Sequence, residues 1–232
     1  MSIGPMQDRN APPLNPLPAI VWVLALPIIA MEVVVGLGEA GILGGIDGAG
    51  WRLQALERFV FSPPLMEAMM ARGEYPPQQV MRLVTYPFVH GSTTHALFVV
   101  VILLALGKMV GEVFRWWAVL VVFFGAALAG AFAYMLVPGN SAPLFGGYPA
   151  TYGLIGGFTF LLWVNLAAVG ANKYRAFSLI GFLLAIQLLF GLLFGGGYEW
   201  VADVSGFVAG FLLSFLVSPG GWGRVLDKIR QR

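Results

Sequence analysis

The chain has 232 residues, of which 59% are apolar and only 10% charged, and its mean hydropathy is +0.83. A soluble globular domain carries about 25% charge, so this composition excludes one. The net charge of +2 is not gathered into a basic patch interleaved with aromatics, which argues against a nucleic-acid partner. The absence of cysteine excludes a disulfide framework, a Cys-ligated zinc and a thiol nucleophile.

The distribution of charge predicts an all-α, polytopic membrane protein with six spans. No Asp, Glu, Lys or Arg occurs from Trp116 to Asn172, from Ala176 to Tyr198 or from Val204 to Gly223. A spanning helix needs roughly 20 apolar residues, so these stretches alone accommodate four. Residues 1–16 read as a disordered, cytoplasmic N-terminus, and the apolar segment after them as a retained first span rather than a signal peptide. Span 1 is expected at Leu17–Leu37, with Glu32 inside it. Residues 44–94 form a long connection of mixed polarity, with helical stretches at Leu53–Val60 and Pro64–Arg72. Spans 2 to 6 follow at His95–Val110, Trp116–Val137, Tyr148–Val169, Ala176–Gly195 and Glu199–Ser218, and residues 219–232 form a basic tail. Residues 17–218 thus make one membrane domain.

Lys and Arg in the short connections set the orientation. The N-terminus, the 108–115 and 173–175 turns and the tail hold nine of the thirteen basic residues, whereas the connections at 138–147 and 195–198 hold none. Both termini are therefore expected on the cytoplasmic side and residues 44–94 outside. Spans 2, 4 and 6 then start from the outer face, with His95, Tyr148 and Asp203 each within about one turn of a span's beginning. An ionisable group such as Asp203 inside a span is expensive, so a paired or functional role is its default reading; the alternative is that it reaches back to interfacial water.

Three motifs carry a resemblance. The first is Arg82-Leu83-Val84-Thr85-Tyr86-Pro87-Phe88-Val89-His90, followed by His95. The second is Gly146-Gly147-Tyr148-Pro149-Ala150-Thr151-Tyr152-Gly153-Leu154-Ile155-Gly156, similar to a G-x-S-G-x-x-x-G-L-x-G block. The third is Ala202-Asp203-Val204-Ser205-Gly206-Phe207-Val208-Ala209-Gly210, similar to an A-H-x-G-G-x-x-x-G block. In this order, on spans 2, 4 and 6, they resemble the rhomboid family of intramembrane serine proteases over about Met81–Gly210.

What the resemblance implies divides into scaffold and chemistry. The scaffold is a six-span rhomboid-like bundle. The family's chemistry rests on a Ser–His dyad, with an imidazole accepting the serine proton and an oxyanion hole holding the developing charge. Here the serine position is Tyr148, the glycine beside it is Pro149, and the histidine position is Asp203. The oxyanion positions are His95, Val99 in place of an asparagine, and Gly147. Only His90 and His95 supply imidazoles, and neither Ser92, Ser141 nor Ser205 has a motif that would make it a relocated nucleophile. The expected arrangement is a structural bond from the Tyr148 hydroxyl to Asp203, tying span 4 to span 6. Arg82, His90, His95, Tyr148, Asp203, Gly206 and Gly210 are the structural or binding candidates.

Other patterns have plainer readings. Gly36-Leu37-Gly38-Glu39-Ala40-Gly41 matches G-x-G-x-x-G, but it ends a span rather than joining a strand to a helix, so it reads as a flexible exit. Gly206/Gly210 and Gly153/Gly157 are spaced for close helix packing. Glu32 is expected to pair with an Arg of the outer segment or with polar groups inside the bundle. Two histidines five residues apart, without clustered carboxylates, do not make a metal site, and no cofactor is expected. The resulting expectation is a non-catalytic rhomboid-like protein, a pseudoprotease of the bacterial cell (inner) membrane. Its partners would be the lipid bilayer and transmembrane segments of client proteins. The alternatives are an active serine protease with an unrecognised nucleophile, or a small transporter or channel component.

Overall fold

The computed structural model describes residues 16–194 and 196–219; the expected disordered N-terminus and nearly all of the basic tail lie outside them. The described residues are helical with no β-strand, apart from one isolated antiparallel bridge between Phe61 and Leu144. Helix α1 is Ala19–Glu39. The following segment folds into short helices, α2 (Gly45–Gly48), α3 (Trp51–Phe59), α4 (Pro63–Arg72), α5 (Pro77–Val80) and α6 (Arg82–Thr85), and a 3-10 turn at Tyr86–Phe88. Then come α7 (Thr93–Gly111), α8 (Trp116–Met135), α9 (Tyr148–Ala168), α10 (Ser178–Phe194) and α11 (Glu199–Val217).

All six expected spans correspond to helices whose ends fall within two residues of the predicted ones. Five of them, α1, α7, α8, α9 and α11, are long and apolar enough to cross a membrane. The helix at the expected fifth span, α10, has 17 residues and is shorter than the rest.

Local chemistry sets several of the boundaries. Ser92 caps α7 by accepting the His95 backbone N–H at 3.2 Å, which satisfies one of the free donors at a helix start. Pro149 occupies the first turn of α9, where its missing N–H leaves no bond unmade. Helix α1 stops where Gly41 takes a φ of +70°, a conformation that disfavours side chains with a Cβ. The G-x-G-x-x-G stretch is therefore a helix exit, as its context predicted.

The centre of the bundle is the contact of α11 with α9 and α8, where Ala126 of α8 lies against Gly153 of α9 and Ala202 of α11 lies against Gly130 of α8. The expected packing glycines act here. A Cβ on Gly206 would strike the backbone of Pro149, one on Gly210 the backbone of Gly153, and one on Gly156 the Phe207 carbonyl. Two helices whose backbones touch gain many small dispersion contacts, which drive association where lipid is as apolar as leucine. Helix α10 stands outside this centre: Ile180 joins Tyr152, Ile155 and Phe207 in a small second cluster.

Candidate functional site

The starts of α7, α9 and α11 meet at one end of the bundle. The His95 ring contacts Tyr148, and Gly206 lies on Pro149. Residues 44–94 cover the same end. The Phe61–Leu144 bridge and the Gly146 N–H bond to the Tyr86 carbonyl (3.0 Å) dock that segment onto the approach to α9. Tyr86 is fully buried and donates its hydroxyl to the Ala127 carbonyl of α8 at 2.7 Å. Burial pushes its phenol pKa well up, so this donor keeps its proton.

Tyr148, the first residue of α9, lays its ring on the imidazole of His95, with centroids 4.8 Å apart and planes 23° from parallel. His90 meets His95 edge-on at 4.9 Å. The Nε2 of His90 accepts the Gly147 backbone N–H at 3.2 Å, whereas Nε2 of His95 is buried with no hydrogen-bond partner. Burial, reinforced by the neighbouring His95, pulls the His90 pKa down to about 3, so its ring is neutral and able to accept. Val99 is fully buried and carries no polar group. Phe145 and Tyr152 extend the aromatic contacts to either side of the His95–Tyr148 stack.

Asp203 is 3% exposed, so the interfacial-water reading does not hold. Its Oδ2 accepts from Gln187 Nε2 of α10 at 2.8 Å. The expected Tyr148–Asp203 bond is replaced by this one. The phenol ring is committed to stacking on His95, and the carboxylate takes a donor from a neighbouring helix instead. Gln187 Oε1 is buried without a partner. Sequence reasoning passed over Gln187, although it is the one polar residue between Leu179 and Phe194 apart from glycine.

The other candidates separate. Gly206 and Gly210 belong to the α9–α11 contact. Arg82 lies apart from the stack, where its Nη1 donates to the Val60 carbonyl at 3.1 Å and staples α6 to the end of α3. Ser92 spends its hydroxyl on capping α7, and Thr85 bonds the Phe59 and Met81 carbonyls.

Sequence reasoning did not single out Arg52, which organises the ion cluster at this end. Its guanidinium meets Glu32 at 2.7 Å and Glu39 at 2.7 Å, both on α1, and donates to the His90 carbonyl at 3.0 Å. Thr93 completes the cluster by donating to Glu32 at 2.6 Å. Hydrogen bonds to Glu39 and Glu32 hold the Arg52 pKa above its ordinary value. This is the outer-segment partner foreseen for Glu32. The cluster ties α1 and α3 to the turn that carries His90, and His90 in turn holds the start of α9. Among the described residues no group of three or more His, Cys, Asp or Glu side chains comes together in a way that could hold a metal ion.

A family model described as Rhomboid domain matches residues 77–220, more than half of the chain and the whole of this site apart from the Arg52–Glu32–Glu39 cluster. No curated protein matches the chain at a significant level.

Proposed function

The chain belongs to the rhomboid family, and from that premise we propose that it is a non-catalytic member that binds transmembrane segments of client proteins within the bilayer. One observation carries this reading. At the positions matching the family's dyad, Tyr148 is stacked on His95 and Asp203 is bonded to Gln187.

Acyl transfer needs a nucleophile within reach of a base, and donors aimed at the oxyanion. A phenol at position 148 is a poor substitute, because phenolate leaves an acyl-enzyme more readily than an alkoxide does. A carboxylate at 203, engaged by an amide, is not the imidazole that the serine mechanism uses. The oxyanion positions point the same way: Val99 offers no donor, and the Gly147 N–H is spent on His90. With hydrolysis unsupported, the preserved features are those of a scaffold, a glycine-packed bundle. We propose a bacterial cell membrane protein with six spans, and the Lys/Arg distribution supports both termini being cytoplasmic and residues 44–94 outside.

The test uses purified protein in bicelles beside an active rhomboid control, with a fluorophosphonate probe and a model transmembrane substrate. The expected result is neither labelling nor cleavage, together with photo-crosslinking of single-span helices. Serine labelling accompanied by cleavage would overturn the non-catalytic reading and identify the true nucleophile. Failure to crosslink any helix would overturn client binding.

A further inference from the structure

The two ends of the bundle differ in charge. The end where α7, α9 and α11 begin carries Glu32, Glu39, Glu67 and Glu199 among its acidic groups. At the opposite end the described cations are Lys108, Arg115, Lys173 and Arg175, and Glu112 is the only carboxylate beside them among the described residues. Glu112 stands 4.0 Å from Lys108. The sequence contains no Asp or Glu from Val113 to Tyr198, so the turn that carries Lys173 and Arg175 has no acidic neighbour on α8, α9 or α10. Neither cation forms an ion pair among the described residues.

Lys173 is nevertheless held in place. Its ammonium lies 5.1 Å from the ring centre of Trp163 and 5.8 Å from that of Tyr174, within the range of a cation–π contact. Trp163 is itself fixed against Phe211 and Phe215 of α11, with ring centres 6.3 and 5.9 Å apart. Asn172 shapes the turn by accepting the Tyr174 backbone N–H at 3.0 Å. A ring face attracts an ammonium but accepts little from it, and a lysine has three N–H donors. The half-buried Lys173 and the exposed Arg175 therefore present donors that the protein does not use.

The level of this turn decides what it meets. Helix α9 has 21 residues. At 1.5 Å per residue it is about 30 Å long, the thickness of the hydrocarbon core. Residues 169–177, between the end of α9 and the start of α10, therefore stand where a bilayer places its headgroup phosphates. Tyr174 and Trp116 are exposed at this end, at 72% and 65%, and such rings populate that layer.

We propose that Lys173 and Arg175 form a binding site for the phosphate of an anionic phospholipid, with Trp163 and Tyr174 holding Lys173 in position. The phosphate oxygens accept from the ammonium and the guanidinium, and the lipid brings the counter-charge that the turn lacks. A zwitterionic lipid carries its own cation next to the same phosphate, which cancels much of the attraction. The site lies at the far end of the bundle from the His95–Tyr148 stack and is independent of client binding.

The experiment is native mass spectrometry of the full chain in detergent, with equal amounts of phosphatidylglycerol and phosphatidylcholine. Each basic residue near an anionic lipid surface contributes roughly fivefold, so the wild-type chain is expected to retain phosphatidylglycerol about tenfold or more over phosphatidylcholine. In Lys173→Gln/Arg175→Gln that preference is expected to fall to about twofold or less. Lys108→Gln/Arg115→Gln removes the same charge from the neighbouring turn and is expected to keep the wild-type preference within about twofold. Equal retention of the two lipids by the wild-type chain overturns the proposal without recourse to any variant. Equal loss in the two double variants overturns it as well, because attraction to overall charge then replaces a site. Glycerol 3-phosphate and a glutamate-rich peptide, each added at the lipid concentration, are expected not to displace phosphatidylglycerol. Displacement by either overturns the lipid assignment and makes a free phosphate or an acidic protein segment the ligand.

Discussion

The imidazole of His95 and the phenol of Tyr148 are stacked at 4.8 Å, joining the start of α7 to the start of α9. Stacked aromatic pairs contribute about 0.5–1.5 kcal/mol beyond their burial. The Tyr148 side chain is thus part of the packing that closes this end of the bundle. His90 extends the same structure by meeting His95 edge-on and capping Gly147.

Restoring the dyad alone is expected not to restore proteolysis. In Tyr148→Ser/Asp203→His, Val99 still lacks a donor and the Gly147 N–H still faces His90. Loss of a single oxyanion donor already costs about 10²–10³ in rate. Fluorophosphonate labelling of the double variant should remain at background. Labelling at the level of an active rhomboid would show that the surrounding site is competent after all.

Substitution of Gly210 by Val is expected to destabilise the bundle by about 1–3 kcal/mol, the usual range for overpacking. The added Cβ alone would meet the Gly153 backbone, which cannot swing aside as a flexible side chain can. Thermal unfolding in detergent checks this through a lowered Tm. Val in place of Gly36, whose Cβ position is open, serves as the mild control.

Arg52→Ala strands Glu32 and Glu39 and releases the His90 carbonyl. The Arg52 and Glu32 side chains are 12% and 15% exposed, so the pair lies between an exposed and a buried ion pair. The expected loss is roughly 2 kcal/mol. Arg52→Lys should recover only part of it, since an ammonium cannot reproduce the planar fork that serves two carboxylates and a carbonyl. Adding Glu32→Gln to Arg52→Ala should return some stability by removing the stranded charge. Strict additivity in that double-mutant cycle would show that the two residues are uncoupled.

Stability should fall in mild acid through His90. Its folded-state pKa, about 3, lies below the unfolded value of about 6.5, so the unfolded chain takes up the proton first. The stabilisation is fully present above pH ~6.5. It is lost as pH decreases toward about 3, at up to about 1.4 kcal/mol per pH unit. Unfolding followed from pH 7.5 to 4.5 should show the decline. His90→Gln, which keeps an acceptor but does not titrate in this range, should flatten it. An unchanged slope in that variant would assign the acid sensitivity to other groups.

Much of this was legible before any coordinates. Spanning helices announce themselves because a bilayer leaves no alternative for long uncharged apolar stretches, and their ends were readable to within two residues from the charged and polar turns between those stretches. The roles of Gly206 and Gly210 were legible too, since small residues four apart have few uses other than close packing. The pairing of polar groups was not. Tyr148 and Asp203 occupy matching places on neighbouring helices, and that suggested a bond between them, yet Gln187 from α10 takes the carboxylate. A lone glutamine in an apolar stretch signals a polar partner somewhere, but not on which helix.

The sequence by itself thus determined the membrane environment, the helical class and the motif order, because these depend on residue type and local spacing. Only the tertiary structure decided that Tyr148 stacks on His95, that His90 caps Gly147, that Arg52 gathers Glu32, Glu39 and the His90 carbonyl, and that Asp203 belongs to Gln187. The physical reason is that a hydrogen bond or a ring stack needs its groups within a few ångströms at the right angle. Residues 13 to 57 positions apart along the chain meet that condition only through the relative rotation and depth of packed helices.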